Sequence, residues 1–430
     1  MSFIKKMNPG RYIALGFAMV ILLGAFILFL PFSHREGVDV AFIDALFTST
    51  SAVCVTGLNV VDTYDTYNVF GQIIIAVLIQ IGGLGVTSVG VGFMLLARRK
   101  VDFKDRILVK EALNLNSMKG VVKLVRSILL MTLCFETVGA TLSFIVFSQD
   151  LPLPRAFGAS LFHAVSSFNN AGFDVLGGFK GLVDYKANIL LNLTTCGLII
   201  FGGLGFVVIK EIIYKHSFKK YSLHSKIVIS MTLFLLIIGT VLLKLTEDIS
   251  WLGAFFFSTS ARTAGFSTYP VGNFTNAGLF ILIILMFIGA SPGSTGGGIK
   301  TTTAFTLFRT AFGLSTNKPC GAYKRKLPAE IVMKAFLLAF LAMVLVCFST
   351  LLLCIFEPEY TFMQLLFEVV SGFGTVGLST GITPDLNPIS EFIIIITMYI
   401  GRVGPLTIAS LWSVKPMTSI SYSEEAITIG

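Results

Sequence analysis

A short sequence pattern occurs four times in this chain of 430 residues. Each copy ends in a glycine, with a phenylalanine ten positions earlier, a hydroxyl residue six positions earlier, and a Leu or Phe directly afterwards. The four glycines are Gly57, Gly172, Gly265 and Gly377. A pattern that recurs in this way predicts a chain built from four similar units, each of which uses its glycine in the same way.

The composition places these units in a membrane. Hydrophobic residues make up 54% of the chain, charged residues only 13%, and the mean hydropathy is +0.85, whereas soluble domains contain roughly 25% charged residues. The six cysteines show no metal-binding spacing and are expected to be small buried side chains. We therefore expect a polytopic membrane protein rather than a soluble one.

Each copy of the pattern lies in the same succession of apolar stretches. A stretch long enough to span a bilayer, about 20 residues, is followed by a half-length stretch, the glycine and a second long stretch. The sequence thus predicts an all-α membrane protein with eight transmembrane helices and four half-membrane helices. The predicted units are 1–98, 121–214, 226–312 and 331–414, joined by linkers 99–120, 215–225 and 313–330 and followed by a tail, 415–430. The second long stretches at 69–97, 187–214 and 390–414 are expected to be continuous.

The distribution of charge orients the predicted bundle. Lys and Arg cluster around the three linkers and beside both chain ends, whereas the other connections are rich in Asp and Glu. Positive residues favour the cytoplasmic side, so we expect both termini and the linkers to be cytoplasmic. The net charge of +9 then needs no nucleic-acid partner, and each half-membrane helix enters from outside.

The four glycines suit a site for cations. A half-membrane helix that enters from outside points its carbonyl end, the negative end of its dipole, at the middle of the membrane. Irregular backbone is tolerated there only where it is buried in protein or lines water, and its carbonyls can replace the water shell of a cation. The alternative is a packing turn in which the glycine only ends the helix, and four aligned copies argue against it.

Four stretches resemble a known family. They are TSAVCVTGL at 50–58, SFNNAGF at 167–173, STSARTAGF at 258–266 and GTVGLST at 374–380. Together they resemble the Trk/Ktr/HKT superfamily of potassium transporters over essentially the whole chain, and within it the KtrB subfamily, the membrane subunits of Ktr systems. The resemblance implies four M1–P-loop–M2 repeats around one pseudo-fourfold pore.

The resemblance also implies a selectivity filter in which K+ binds to the backbone carbonyls of Gly57, Gly172, Gly265 and Gly377. The implied filter residues are Val55, Thr56, Gly57, Asn170, Ala171, Gly172, Thr263, Ala264, Gly265, Thr375, Val376 and Gly377. Glycine at all four positions accompanies potassium preference in the family. A sodium or other monovalent-cation uniporter, or a secondary transporter of the same architecture, remains the alternative.

The third closing stretch is interrupted by one proline and several glycines, which cannot continue a helix without large cost. A plain helix break is the simpler interpretation, but the resemblance implies an intramembrane loop that closes the pore. This gate would comprise Gly289, Ala290, Ser291, Pro292, Gly293, Ser294, Thr295, Gly296, Gly297 and Gly298, with Arg402 as a positive barrier beside it. Gly293 and Gly298 have the spacing of a phosphate-binding loop, but Ile299 stands where that motif needs lysine.

Several polar residues within apolar stretches are expected to be structural. Arg402 could alternatively form an ion pair, and Arg262 could pair with Glu136 or Glu368. Lys300 is expected to extend towards the membrane surface, and His163 to be a hydrogen-bonded core residue. The four histidines form no catalytic pair, so we expect no enzyme.

The resemblance further implies a homodimer and a separate cytosolic ring of RCK-type domains that binds ATP or ADP. K+ would be the transported ion, a dependence on Na+ remains open, and no organic cofactor or nucleic acid is expected. The basic linkers could dock the regulatory ring or anionic lipid. A cell (plasma) membrane is implied as the location. A transporter with alternating access would need inverted or large repeats and a central site of broken helices, which four parallel half-membrane helices disfavour.

Overall fold

The computed structural model describes residues 9–97, 101–113, 118–316 and 320–409, and the regular secondary structure of this part of the chain is almost entirely helical. The predicted tail, 415–430, and parts of the first and third linkers lie outside the described residues. The elements fall into four successive groups, each with a long helix, a short helix and a helix divided in two.

The first group comprises α1 (Pro9–Phe29), α2 (Phe42–Cys54), α3 (Thr63–Thr66), α4 (Val69–Leu84) and α5 (Val86–Leu96), followed by α6 (Phe103–Ala112). The second comprises α7 (Val121–Asp150), α8 (Leu153–Phe168), α9 (Ile189–Leu204) and α10 (Phe206–Lys215). The third comprises α11 (Leu223–Thr246), α12 (Trp251–Ser260), α13 (Asn276–Phe287) and α14 (Thr301–Ser315), followed by a small antiparallel hairpin of β1 (Gly321–Ala322) and β2 (Arg325–Lys326). The fourth comprises α15 (Ala329–Phe356), α16 (Phe362–Gly374), α17 (Pro388–Val403) and α18 (Pro405–Ala409).

The long helices α1, α7, α11 and α15 are long and apolar enough to cross a membrane. Two further spans result if the bent pairs α4–α5 and α9–α10 are each counted as one. Large apolar side chains such as Leu15, Met19 and Phe26 are exposed on the outside of α1, as a lipid-facing surface requires. Since the described helices give four to six spans by length and composition, the total of eight spans stays a prediction.

The four short helices α2, α8, α12 and α16 form the interior. The pattern phenylalanines Phe47, Phe162 and Phe367 are buried there, and Phe255 is half-buried. The divided helices begin at polar caps that follow from sequence. The side chains of Asn68, Asn188, Thr275 and Asn387 each accept a hydrogen bond from a backbone N–H in the first turn of α4, α9, α13 and α17.

The closing segments differ from the prediction of continuous helices at 69–97, 187–214 and 390–414. They divide at Gly85, Gly205 and Gly404, whose φ angles of +83°, +90° and +97° lie outside the helical region. The chain bends by 99° between α4 and α5 and by 100° between α9 and α10. Glycine reaches such angles without steric cost, so the second glycine of each Gly-x-x-Gly stretch ends a helix there. The third closing segment is interrupted by a longer loop, 288–300, as expected.

Small residues let the divided helices approach the short ones closely. A side-chain carbon added to Gly82, Gly202 or Gly401 would meet the backbone carbonyl oxygen of Val53, Phe168 or Phe373, respectively. Each of these carbonyls lies four positions before a pattern glycine. The same contact recurs in three groups, which fixes the depth at which the short helices end.

This packing predicts that Gly202→Ala destabilises the protein. The added methyl group overlaps a backbone oxygen that cannot rotate away, and overpacking of this kind costs about 1–3 kcal/mol. Gly197→Ala in the same helix is the matched control, because nothing lies within 4 Å of its added carbon and alanine is the better helix former. The thermal-unfolding midpoint in detergent should fall for Gly202→Ala and hold or rise for Gly197→Ala. Equal midpoints for the two variants would contradict the packing described.

Candidate functional site

The four pattern glycines meet in a closed ring at the end of the short helices. An added side-chain carbon on Gly57 would meet the carbonyl oxygen of Ala171, and one on Gly172 would meet that of Ala264. Gly265 faces the carbonyl oxygen of Val376 in the same way, and Gly377 faces that of Thr56. Each glycine therefore contacts the residue before the next glycine in chain order, and the last contacts the first. Four units in one chain surround a common centre.

The backbone of the ring is unusual in the same way in all four copies. The glycines have φ angles of +90°, +71°, +80° and +94°. The residues two positions earlier also have positive φ, at +52°, +60°, +76° and +50°, and they are Val55, Asn170, Thr263 and Thr375. The residue between each pair does not share this conformation. Such alternation turns successive carbonyl groups to the same side of the chain, and positive φ at a β-branched residue is strained.

Serine hydroxyls in three of the four copies bond to this backbone. The N–H of Gly57 donates to Ser51 Oγ at 3.0 Å, and the N–H of Gly377 donates to Ser371 Oγ at 3.0 Å. In the third copy Ser260 Oγ donates to the carbonyl of Phe266 at 2.5 Å. The ring presents the carbonyl ends of four helix dipoles to its centre, an arrangement that favours a cation.

A cavity of about 580 Å³ opens on one side of the ring. It is lined by all four ring glycines and by Asp62 and Asp174. Burial, together with the nearby charge of Asp62, raises the pKa of Asp174 to about 6, although backbone N–H groups of Leu176 and Gly177 donate to it. Lys180 also lines the cavity, so two carboxylates stand against one ammonium group there, and we call this side the acidic face.

The loop 288–300 lies on the other side of the ring. A second cavity, of about 320 Å³, lies beyond the loop and is lined by Gly293, Gly298, Lys300, Lys334 and Arg402 among others. Most of these charges are positive, although Glu111 also lines the cavity. The ring and the loop thus lie between the two cavities, with the acidic cavity on the side of the ring and the mainly basic cavity on the side of the loop.

The loop is bonded to the ring by side chains. Thr375 Oγ1 accepts from the N–H of Gly297 at 3.0 Å. Thr295 Oγ1 lies 3.3 Å from Asn170 Oδ1 and 3.4 Å from the carbonyl of Phe168. Asn170 Nδ2 in turn donates to Thr263 Oγ1 at 3.2 Å. Three of the four ring copies therefore take part in these contacts.

The division of α9 and α10 supplies backbone partners to the same loop. The N–H groups of Ser291 and Thr295 donate to the carbonyls of Gly203 and Gly202, at 3.0 and 3.3 Å. The N–H of Phe206 returns a bond to the carbonyl of Gly293 at 3.1 Å. These Gly-Gly carbonyls are loop partners that the sequence interpretation missed. The repeated Gly-Gly-Leu-Gly stretches were the available signal, because a helix that ends there exposes its last carbonyls.

Arg402 lies beside the loop and binds backbone. Its guanidinium donates to the carbonyls of Thr295 and Gly82, and to that of Gly83 at 3.4 Å. Within the described residues its partners are all carbonyls, so the alternative of an ion pair finds no support there. The side chain links the loop to the carbonyls exposed where α4 ends.

Lys300 is not extended towards the membrane surface, and that expectation was wrong. Its ammonium donates back to the carbonyls of Gly296 and Gly297, at 2.7 and 3.2 Å. Lys300 precedes α14 rather than ending a helix, so two loop carbonyls lie closer to it than any polar surface. It adds a second positive group to the loop.

The predicted partners of Arg262 were also wrong. Arg262 lies within 3.5 Å of the carbonyl and hydroxyl of Thr232, whereas Glu136 accepts from Asn169 at 3.1 Å. Glu368 accepts from Ser379, Thr380 and Thr383, three residues of the segment that follows Gly377. In the described part of the chain neither carboxylate pairs with Arg262. His163 is a hydrogen-bonded core residue as expected, with Thr195 Oγ1 at 2.9 Å.

Comparison with known proteins gives a consistent set of relatives. The family model described as TrkH, cation transport protein, matches residues 20–422. The potassium/sodium uptake protein NtpJ of Enterococcus hirae is 40% identical over 99% of this chain and 98% of its own. The Ktr system potassium uptake protein B of Bacillus subtilis is 35% identical over 99% and 97%. The crystal structure of the potassium transporter TrkH from Vibrio parahaemolyticus has a TM-score of 0.73 at 18% identity and shares the fold, covering 94% of this chain and 84% of its own.

The position of Glu368 predicts a large difference between two substitutions. Glu368→Ala leaves several buried donors without an acceptor, at a cost of about 3 kcal/mol. Glu368→Gln keeps one oxygen for Ser379 and Thr380 and can donate its amide to the Thr383 hydroxyl, so it should cost far less. The thermal-unfolding midpoint in detergent measures both. An alanine variant that unfolds at the same temperature as the glutamine variant would refute the proposed network.

Proposed function

Because this chain belongs to the TrkH family of cation transport proteins, we propose that it takes up potassium ions across a cell membrane through one axial pore. The resemblance of this chain to the family is confirmed by relatives of 35–40% identity over nearly the full length. Those relatives are named as potassium or potassium/sodium uptake proteins. The reaction is ion transfer, so the chain acts as a transporter rather than an enzyme.

The proposed pore has four M1–P-loop–M2 repeats around a pseudo-fourfold axis. Its support is the succession of long, short and divided helices in each group and the closed ring of contacts among the four glycines. Counting each divided helix as one span gives the eight spans expected from the sequence. The short helices then reach the membrane centre from the acidic face and end at the ring.

The observation that carries the proposal is the ring of positive-φ glycines. Its backbone carbonyls, from residues 55–57, 170–172, 263–265 and 375–377, form the proposed selectivity filter. Carbonyl oxygens replace the hydration shell of K+, and four helix dipoles with their negative ends at the centre offset the loss of water. The acidic cavity would concentrate cations at the entrance.

The loop, residues 289–298 of the broken third closing helix, is the proposed gate. Its support is its position between the two cavities and its bonds to the ring. Arg402 and Lys300 both donate to its carbonyls, and their charges repel a cation that leaves the filter. Displacement of the loop and of these charges would open the pore.

The proposed assembly is a homodimer of this chain with a separate cytosolic ring of RCK-type, nucleotide-binding domains. The relative from Bacillus subtilis is named as part of a Ktr system, which indicates more than one component. The basic linkers and both termini would lie on the cytoplasmic side, where such a ring could reach the second cavity. In this arrangement the cytosolic RCK-type domains would act on the loop through the neighbouring helices.

Sodium is the second candidate ion. The relative with 40% identity is named a potassium/sodium uptake protein. Na+ could pass the same carbonyl filter if the ring contracts around it, and selectivity of this kind depends on the number and flexibility of the carbonyls. Uptake of each ion, measured separately, decides between the two.

The proposal predicts that Gly57→Ser lowers the preference for K+ over Na+ by about tenfold, equivalent to about 1.4 kcal/mol. The added side chain would be strained at this φ and would meet the carbonyl of Ala171. Gly37→Ser is the matched control, because Gly37 has a φ of +79° with nothing within 4 Å of its added carbon.

A deletion within 289–298 should accelerate uptake, because it removes the proposed gate. Potassium-limited growth and rubidium or potassium uptake in a transport-deficient host measure the effects of both changes. Unchanged transport in Gly57→Ser and in the deletion variant would overturn the proposed pore.

The pKa of Asp174 predicts a pH dependence of ion entry. Because burial raises this pKa to about 6, the carboxyl is charged above pH 6 and becomes neutral as the pH falls through that value. The KM for K+ should then rise by about fivefold, the effect of about 1 kcal/mol of charge attraction near water. Asp174→Asn should show the high KM at every pH. Asp385→Asn, outside the set of residues that lines the cavity, should keep the pH dependence, and an unaltered profile in Asp174→Asn would contradict the assignment.

A further inference from the structure

The four residues that lie two positions before the ring glycines differ in one respect. Val55 is apolar, whereas Asn170, Thr263 and Thr375 are polar. All four have the same left-handed backbone, and all four are completely buried. The three polar residues, here called the latch residues, are those that face the loop.

Thr375 makes the most direct contact with the loop. Its hydroxyl oxygen accepts from the N–H of Gly297 at 3.0 Å. A side-chain carbon on Gly297 would overlap the Thr375 side chain, and one on Gly296 would overlap that of Thr263. Gly297 therefore lies directly against Thr375, and Gly296 lies against Thr263. This close approach is possible because neither glycine has a side chain.

Asn170 joins the loop to a second ring position. Its Oδ1 lies 3.3 Å from Thr295 Oγ1, and its Nδ2 donates to Thr263 Oγ1 at 3.2 Å. The amide therefore connects the loop hydroxyl of Thr295 to the next copy of the ring. Thr295 also donates its backbone N–H to Gly202, so one loop residue is held from two sides.

The backbone conformation does not explain the hydroxyl of Thr375. A β-branched residue with positive φ is strained whether it is threonine or valine. Val55 has a φ of +52° and Thr375 has a φ of +50°, so valine is compatible with this conformation in the same ring. The hydroxyl thus has a role beyond the local fold, and its bond to the loop supplies one.

We propose that Asn170, Thr263 and Thr375 are positioning residues that hold the loop closed against the underside of the ring. The inference rests on the proposed pore and assigns a second function to the latch residues. Their carbonyls serve the filter and their side chains restrain the gate. Opening the loop breaks these side-chain bonds and leaves the carbonyls in place, so the opening equilibrium and the ion preference are separable properties.

The test is flux through the purified full-length chain in lipid vesicles without added protein. Thr375→Val should raise the maximal rate of potassium uptake about threefold to tenfold, the range set by one neutral hydrogen bond. Its KM and its preference for K+ over Na+ should not change. Thr375→Ser keeps the hydroxyl and should restore the wild-type rate.

Thr397→Val is the matched control for the loss of a buried hydroxyl in the fourth group. Thr397 bonds to Ser349 Oγ at 3.0 Å and to the carbonyl of Ile393, in the body of α17, so its rate should stay within about twofold of wild type. Thr263→Val supplies a second test if Thr375→Val is not monodisperse, and it should also raise the rate.

A double variant decides whether Thr375 acts through the loop. In a protein with a deletion within 289–298, Thr375→Val should produce no further increase. An equal increase with and without the loop, a change in ion preference, or an unchanged rate in both threonine variants would overturn the latch. Failure of the proposed function looks different, because wild type would then carry no potassium or Gly57→Ser would leave the ion preference intact.

Discussion

Every interruption of a helix within a membrane leaves backbone carbonyl and amide groups that water cannot satisfy, and this constraint organises the whole molecule. The chain interrupts its helices in each of four groups, at the ring and again in each closing segment. The two kinds of interruption satisfy one another. Carbonyls exposed where α9 ends accept from Ser291 and Thr295, and those exposed where α4 ends accept from Arg402. In the proposed pore, the ring carbonyls are the group that would bind an ion.

The same constraint explains why the glycines have separate roles. Those of the ring provide positive φ and close contact between neighbouring copies, whereas Gly82, Gly202 and Gly401 let a closing helix touch the carbonyl of a short one. Gly296 and Gly297 let the loop approach two threonine side chains. In each case the space that a methyl group would fill is occupied by a backbone or side-chain oxygen. Close approach of polar groups, rather than flexibility, is what most of these glycines provide.

The local patterns were sufficient to predict the four short helices, the interruption at 288–300 and the buried histidine, because each depends on residues adjacent in sequence. The division of the other closing segments was not predicted. Gly85, Gly205 and Gly404 lie in apolar runs in which hydropathy gives no sign of a bend. The partners of Arg262, Glu136 and Glu368 were not predictable either. Glu368 binds residues 11 to 15 positions later, in the segment that follows its own helix, whereas a search for opposite charge favoured Arg262. Propensity and composition report what a segment can do, and long-range hydrogen bonding decides which option it takes.

The four ring positions belong to one polypeptide, so each can differ from the other three. Val55 beside three polar counterparts is a difference that a tetramer of identical subunits could not encode, because a single codon would then set all four positions. Among the described residues, the loop likewise occurs in the third group and not in the others. The proposed pore would keep its symmetry where the ion needs equal ligands and lose it at the neighbouring loop. With such a pore, selection would adjust how readily the proposed gate opens, one residue at a time, without altering which ion the filter admits.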